Sequence, residues 1–194
     1  MSDLRICFVG DSFVNGTGDE TALGWAGRLC REAHARGIPV TYYNLGVRRD
    51  TSRDILRRVE AECSPRLPPG CDGRVVLSCG VNDTQQEHGK TRVPRDESVA
   101  NFRKIVESVT RHRCLVVGPP PVGDEEHNRR IQGLSEAFGD LASALGTPYV
   151  DLFTPLVAAA DYRRTLRDGD GAHPGAAGYE RMARIVSSSP AWWF

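Results

Sequence analysis

An excess of charge of either sign is missing from this 194-residue sequence: 25 lysines and arginines face 25 aspartates and glutamates, a formal net charge of zero. A chain whose main partner is nucleic acid needs a basic face to displace counterions, so no nucleic-acid partner is expected. Long apolar runs are missing too. None approaches the roughly 20 residues of a bilayer-crossing helix, so no membrane span is expected. Met1-Ser2-Asp3-Leu4-Arg5 lacks the basic stretch and apolar core of a secretory signal. The expectation is a soluble, cytoplasmic protein. The six cysteines, Cys7, Cys30, Cys63, Cys71, Cys79 and Cys114, contain no C-x-x-C pair, which removes the usual zinc and thioredoxin signals. Cys7, Cys79 and Cys114 lie in short apolar runs, where a thiol packs as a small hydrophobe. All six read as reduced thiols. Cys63 and Cys71, which flank a proline-rich stretch, are the candidate exception.

What is present is an ordinary globular composition, 40% hydrophobic and 26% charged, with length for one domain covering residues 1–194. No repeat, low-complexity tract or linker divides it. Five strand-length runs recur: Leu4–Val9, Val40–Leu45, Val75–Cys79, Cys114–Val117 and Tyr149–Leu152. They are rich in β-branched and aromatic residues and mostly apolar on both faces, as in parallel sheets covered by helices. Between them lie helical stripes. Trp25, Leu29, Cys30 and Ala33 share one face. Ile55, Leu56 and Val59 follow a potential cap at Thr51. Val99, Phe102, Ile105, Val106 and Val109 repeat every 3.6 residues, as do Ile131, Leu134, Phe138, Leu141 and Leu145. Tyr179, Met182, Ala183 and Val186 suggest a last helix opened by Pro174. Ser64 to Gly73, with three prolines, reads as a loop. The alternation implies an α/β fold, a three-layer α/β/α sandwich around a doubly wound parallel sheet of about five strands.

In such a sheet the crevice lies at the carboxyl ends of the strands, so the residues there carry the chemical information. The first strand ends in Gly10-Asp11-Ser12, the second in Asn44-Leu45-Gly46, the third in Gly80-Val81-Asn82-Asp83. The loop before the last helix holds Asp168-Gly169-Asp170-Gly171-Ala172-His173. These are the parts of an acyl-transfer site. Ser12 needs a base to take its proton. Of five histidines, His173 alone lies in a rim loop beside an acid; His34, His88, His112 and His127 read as solvated or structural. Asp170, three residues before His173, can reach its imidazole through one tight turn, with Asp168 as a rival. The backbone N–H groups of Ser12 and Gly46 and the Asn82 amide are candidate oxyanion donors.

Taken together, Gly10-Asp11-Ser12, Gly46, Gly80-Val81-Asn82-Asp83 and Asp170-Gly171-Ala172-His173 resemble the four sequence blocks of the SGNH (GDSL-type) esterases and lipases. They occur in family order, and the pattern runs from Leu4 to about Val186. The resemblance implies a flavodoxin-like sandwich that cleaves carboxylic esters or thioesters through an acyl-enzyme, without metal or cofactor. It implies Ser12 as nucleophile, Asp170 and His173 as its triad partners, and Ser12, Gly46 and Asn82 as the oxyanion hole. Phe13 departs from the leucine of the family's namesake motif.

Each residue also has a plainer reading. Ser12 can cap a helix, Asn82 can serve a turn, and Gly46 can simply end a strand. Asp11 and Asp83 read as acceptors of backbone hydrogen bonds in their own turns. Arg48 and Arg49 read as solvated charge, with an anionic substrate group as the sharper use. Trp192-Trp193-Phe194 reads as a tail docked on its own domain. A flavin or nucleotide binder on the same fold is the alternative function, as is a non-catalytic binding module. Against the first, Gly-x-x-x-x-Gly-Lys-Ser/Thr is absent and Gly16-Thr17-Gly18 lacks the third glycine of the dinucleotide fingerprint. Against an ordinary α/β-hydrolase, Val14 stands where Gly-x-Ser-x-Gly needs glycine.

Overall fold

A computed structural model describes residues 3–194. In chain order its strands are β1 (Leu4–Gly10), β2 (Thr41–Gly46), β3 (Asp72–Ser78), β4 (Gln86–Glu87), β5 (Lys90–Thr91), β6 (Arg113–Val117) and β7 (Tyr149–Val150). The helices are α1 (Ser12–Asn15), α2 (Gly24–Ala35), α3 (Ser52–Arg66), α4 (Val81–Thr84), α5 (Arg95–Ser108), α6 (Glu125–Ala144), α7 (Phe153–Val157), α8 (Ala160–Asp168) and α9 (Ala176–Ser187). Five strands pair in parallel in the order β2-β1-β3-β6-β7, and β4 and β5 form a separate antiparallel hairpin.

The period-2 alternation of β1 divides the core. Ile6 and Phe8 point to one face, where Trp25 and Leu29 of α2, Tyr162 and Leu166 of α8, and Tyr179 and Met182 of α9 enclose them. Cys7 and Val9 point to the other, against Ile55 and Val59 of α3, Phe102 and Ile105 of α5, and Phe138 of α6. Phe102 and Phe138 stack with ring centroids 4.2 Å apart. Burying each such side chain is worth about 1.5–3 kcal/mol, so both helix layers are held by the sheet between them. The Thr51 cap forms as expected, with the Asp54 carboxylate accepting the Thr51 N–H at 3.0 Å. All six cysteines are free thiols. The tail docks on its own chain: Trp192 is buried near Phe8, and Arg74 lies over the rings of Trp193 and Phe194.

Several boundaries differ from the sequence reading. The segment read as a loop from Ser64 begins as helix, because α3 runs through Pro65 to Arg66. Pro65 has no N–H to donate to the Ala61 carbonyl, so α3 lacks that hydrogen bond in its last turn. β2 is an edge strand with Thr41, Tyr42 and Asn44 exposed rather than apolar on both faces. The last strand shortens to Tyr149–Val150, and α9 begins two residues after Pro174. The helix α8, anchored by Tyr162 and Leu166 four residues apart, is an addition to the elements expected from the sequence. Among the described residues no helix is long and apolar enough to cross a membrane.

The strand order decides where ligands can sit. From β1 the chain moves to β2 on one side and then crosses to β3 on the other, which opens a crevice at the carboxyl ends of β1 and β3. Ser12 follows β1 and Asn82 follows β3.

Candidate active site

Ser12 opens α1 directly after β1. The Asp11 carboxylate accepts the Phe13 N–H at 2.9 Å and so starts the helix at Ser12. The Ser12 N–H, first in the helix, has no intrahelical acceptor. The loop between α8 and α9 brings His173 across from 161 residues away, with its Nε2 2.8 Å from Ser12 Oγ. Asp170 Oδ1 accepts the backbone N–H groups of Ala172 (2.9 Å) and His173 (2.8 Å), and its Oδ2 lies 2.7 Å from His173 Nδ1. Partial burial works against the charge on Asp170, but these hydrogen bonds from His173 and Ala172 outweigh it and hold the carboxyl down at about 2. An ionised carboxylate only accepts, so the imidazole carries its proton on Nδ1. Nε2 is therefore left as an acceptor for the Ser12 hydroxyl. The rival acid, Asp168, is exposed and has no hydrogen bond to the imidazole. The Phe13 ring lies 5.2 Å from the imidazole centroid, backed by Val81, Val122, Ile131 and Phe153.

Ser12, Phe13, Asn82 and His173 line one cleft of about 620 Å³, together with Arg48, Arg49, Val122, His127 and Arg167. That volume suits a small organic substrate. Asn82 sits on α4, which Gly80 introduces at φ 120, a conformation few other residues adopt. One hydrogen of its amide is held by the Asp50 carbonyl at 2.9 Å, which aims the side chain and leaves the other hydrogen free.

Gly46 stands apart from the cleft. Its N–H is already taken by Asn44 Oδ1 at 3.0 Å. It is glycine because a Cβ there would collide with the Asn15 backbone, a need of strand–helix approach rather than of chemistry. The turn that follows it faces the cleft instead. Asp50 N–H closes on Val47 O at 3.2 Å, and Arg49, third in that turn, adopts φ 68. Arg49 N–H has no acceptor among the described residues. A left-handed arginine costs on the order of 1–3 kcal/mol, and such strain persists where the surroundings over-determine it.

The model of the GDSL-like lipase/acylhydrolase family matches residues 8–181. The chain belongs to that family. It is a carboxylic ester hydrolase, with the parallel α/β fold of the SGNH hydrolases. Among solved structures it is similar to a lipase/acylhydrolase from Enterococcus faecalis, at a TM-score of 0.79 and 22% identity over 94% of this chain and 93% of that one. It is also similar to Axe2, an acetylxylan esterase from Geobacillus stearothermophilus, at a TM-score of 0.75 and 21% identity over 95% and 92% of the two chains. No curated protein matches the sequence.

Two residues around this cleft, Arg58 and Arg167, escaped the sequence reading, and His127, read as solvated or structural, is structural. Arg58 of α3 reaches under the rim, donating to Gly10 O (2.8 Å), Leu45 O (2.9 Å) and Asp50 Oδ2 (2.7 Å). It thereby ties the ends of β1 and β2 to the Arg49 turn. His127 of α6 places Nε2 3.0 Å from Thr84 Oγ1 and 3.1 Å from Val81 O, joining α6 to the helix that bears Asn82. Burial lowers its pKa. Arg167 enters the cleft from α8. No local pattern marks Arg58 or Arg167. Asp83, expected to serve its own turn, instead accepts the Ser52 N–H 31 residues away at 2.7 Å, and burial raises its pKa. Asp11 does bond within its turn, and burial pushes its carboxyl up to about 7.

Proposed function

We propose that this enzyme hydrolyses carboxylic esters through an acyl-Ser12 intermediate. His173 acts as general base and acid, and Asp170 orients it. Ser12 Oγ attacks the ester carbonyl as its proton passes to His173 Nε2. The resulting oxyanion accepts hydrogen bonds from the Ser12 N–H and the free Asn82 amide hydrogen. The Arg49 N–H supplies the third donor in place of Gly46, whose N–H is occupied. On collapse, His173 returns the proton to the leaving alcohol. Water then enters by the same base catalysis and releases the acid and Ser12. The imidazolium formed at each stage is stabilised by the Asp170 carboxylate.

The observation that carries this reading is the continuous relay from Asp170 to His173 at 2.7 Å and from His173 to Ser12 at 2.8 Å. It is supported by the Geobacillus esterase, in which replacements of a serine, an aspartate and a histidine are named catalytic mutants. We take small acyl or acetyl esters, or the corresponding thioesters, as the substrate class. No cofactor enters any step.

A fluorophosphonate probe is expected to label Ser12 in the wild type. Ser12→Ala is expected to lose both the label and p-nitrophenyl acetate turnover while keeping its circular dichroism spectrum and melting temperature. Turnover by Ser12→Ala above the uncatalysed rate refutes the mechanism.

A further inference from the structure

We propose that the substrate ester carries an anionic group, a carboxylate or phosphate, which Arg48 and Arg167 of the cleft bind. This rests on the hydrolase reading above and narrows its substrate class. The turn bearing Arg48 is fixed at nearly every other point. Val47 N–H donates to Gly10 O at 3.0 Å, and Arg92 Nη1 donates to Arg49 O at 2.9 Å. The Arg49 guanidinium pairs with Glu87 at 2.9 Å. The Asp50 side chain is held by Arg58, and its carbonyl by Asn82.

Arg48 is the exception: it is an exposed residue of the cleft lining and its side chain has neither ion-pair nor hydrogen-bond partner among the described residues. A strained, braced turn that presents one unpaired cation beside the nucleophile is a binding arrangement. Loose surface charge does not need such bracing.

Arg167, also exposed, lines the same cleft from the last turn of α8, three residues before Asp170, and is likewise unpartnered among the described residues. Two acids share the cleft, and both are engaged. Asp124 caps α6 by accepting the His127 N–H at 2.6 Å, and Asp170 holds His173. The cleft therefore offers two guanidinium groups without a carboxylate to neutralise them. A forked donor of this kind matches carboxylate or phosphate geometry.

The test compares kcat/KM within matched ester pairs, each corrected for spontaneous hydrolysis. On the alcohol side, 4-acetoxybenzoate and 4-acetoxyphenyl phosphate are set against methyl 4-acetoxybenzoate. On the acyl side, mono-p-nitrophenyl adipate is set against p-nitrophenyl hexanoate. At least one anionic ester is expected to exceed its neutral partner by about tenfold, the effect of one well-placed charged hydrogen bond. The phosphate and carboxylate arms tell the two anions apart.

That ratio is expected to fall severalfold in about 0.5 M KCl, where screening is strong. It should drop toward unity in Arg48→Gln/Arg167→Gln, and Arg48→Lys should restore part of it. Ratios of one or less in every pair overturn the proposal, as does a ratio that the double variant leaves unchanged; the arginines are then solvated charge only. If neutral esters are still turned over in a Ser12-dependent manner, that failure leaves the hydrolase reading intact. If no ester is turned over at all, both fall.

Discussion

Exchanging Asp170 for asparagine tests the relay at its most sensitive point. Asp170 Oδ1 accepts two backbone N–H groups, and Oδ2 accepts the Nδ1 proton of His173 at 2.7 Å. The Asp170→Asn side chain keeps the first oxygen, and so the turn, but puts an amide donor where Oδ2 was. A donor facing Nδ1 requires an acceptor there, so the imidazole proton moves to Nε2. That nitrogen then points a hydrogen at Ser12 Oγ from 2.8 Å and can no longer take one. Forcing the wrong tautomer in a buried triad lowers kcat by about 10⁴, or about 5.5 kcal/mol at 1.36 kcal/mol per decade. The Asp170 side chain is 55% exposed here, so water competes with the amide for Nδ1, and the expected loss is roughly 10²–10⁴. Asp170→Ala imposes no tautomer but also removes the acceptor of the Ala172 and His173 N–H groups, so the asparagine variant alone isolates the tautomer effect. The assay is kcat/KM on p-nitrophenyl acetate, with the tautomer read by NMR of ¹⁵N-labelled histidine. An asparagine variant within tenfold of wild type, or one whose His173 keeps its proton on Nδ1, refutes the reasoning.

Asn82→Ala is expected to lower kcat by about 10²–10³ through loss of one oxyanion donor. Loss of its 2.9 Å bond to Asp50 O should also cost about 1 kcal/mol in urea denaturation; a tenfold or smaller effect on kcat removes Asn82 from the hole. Asp11 is expected to make stability depend on pH. Burial pushes its folded pKa up to about 7 from an ordinary value of 3.8, so its favourable contribution is complete below about 4 and is lost as pH rises through 7. That loss amounts to at most about 4 kcal/mol at 1.36 kcal/mol per unit. Asp11→Asn keeps an acceptor for the Phe13 N–H and is expected to be more stable than wild type at about pH 8 but not at about pH 4; equal gains at both pH values contradict a buried, neutralised carboxyl.

The legibility of the site differed by residue. That Ser12, Asn82 and the Asp170–His173 pair share one rim was legible, because strand ends and the loop before the last helix converge there in a doubly wound sheet. The preference for Asp170 over Asp168 rested on spacing alone, and the Asp170 Asx turn onto Ala172 and His173 gives it a physical cause. Gly46 misled because a glycine that lets a strand approach a helix looks, in sequence, like one that opens an N–H to a ligand. Arg49 gave no warning, since nothing in an arginine announces a left-handed backbone.

Local pattern therefore determined the alternation of strand and helix, the two-sided core and which loops could carry chemistry, since hydrophobic period and chain direction are properties of short segments. Only the packed structure decided that the turn after Gly46, rather than Gly46 itself, faces the cleft, that Arg58 and His127 brace the rim, and that Arg48 and Arg167 line one cleft. Each of those depends on distances between residues that the chain itself keeps far apart, and such distances exist only after the layers have closed on the sheet.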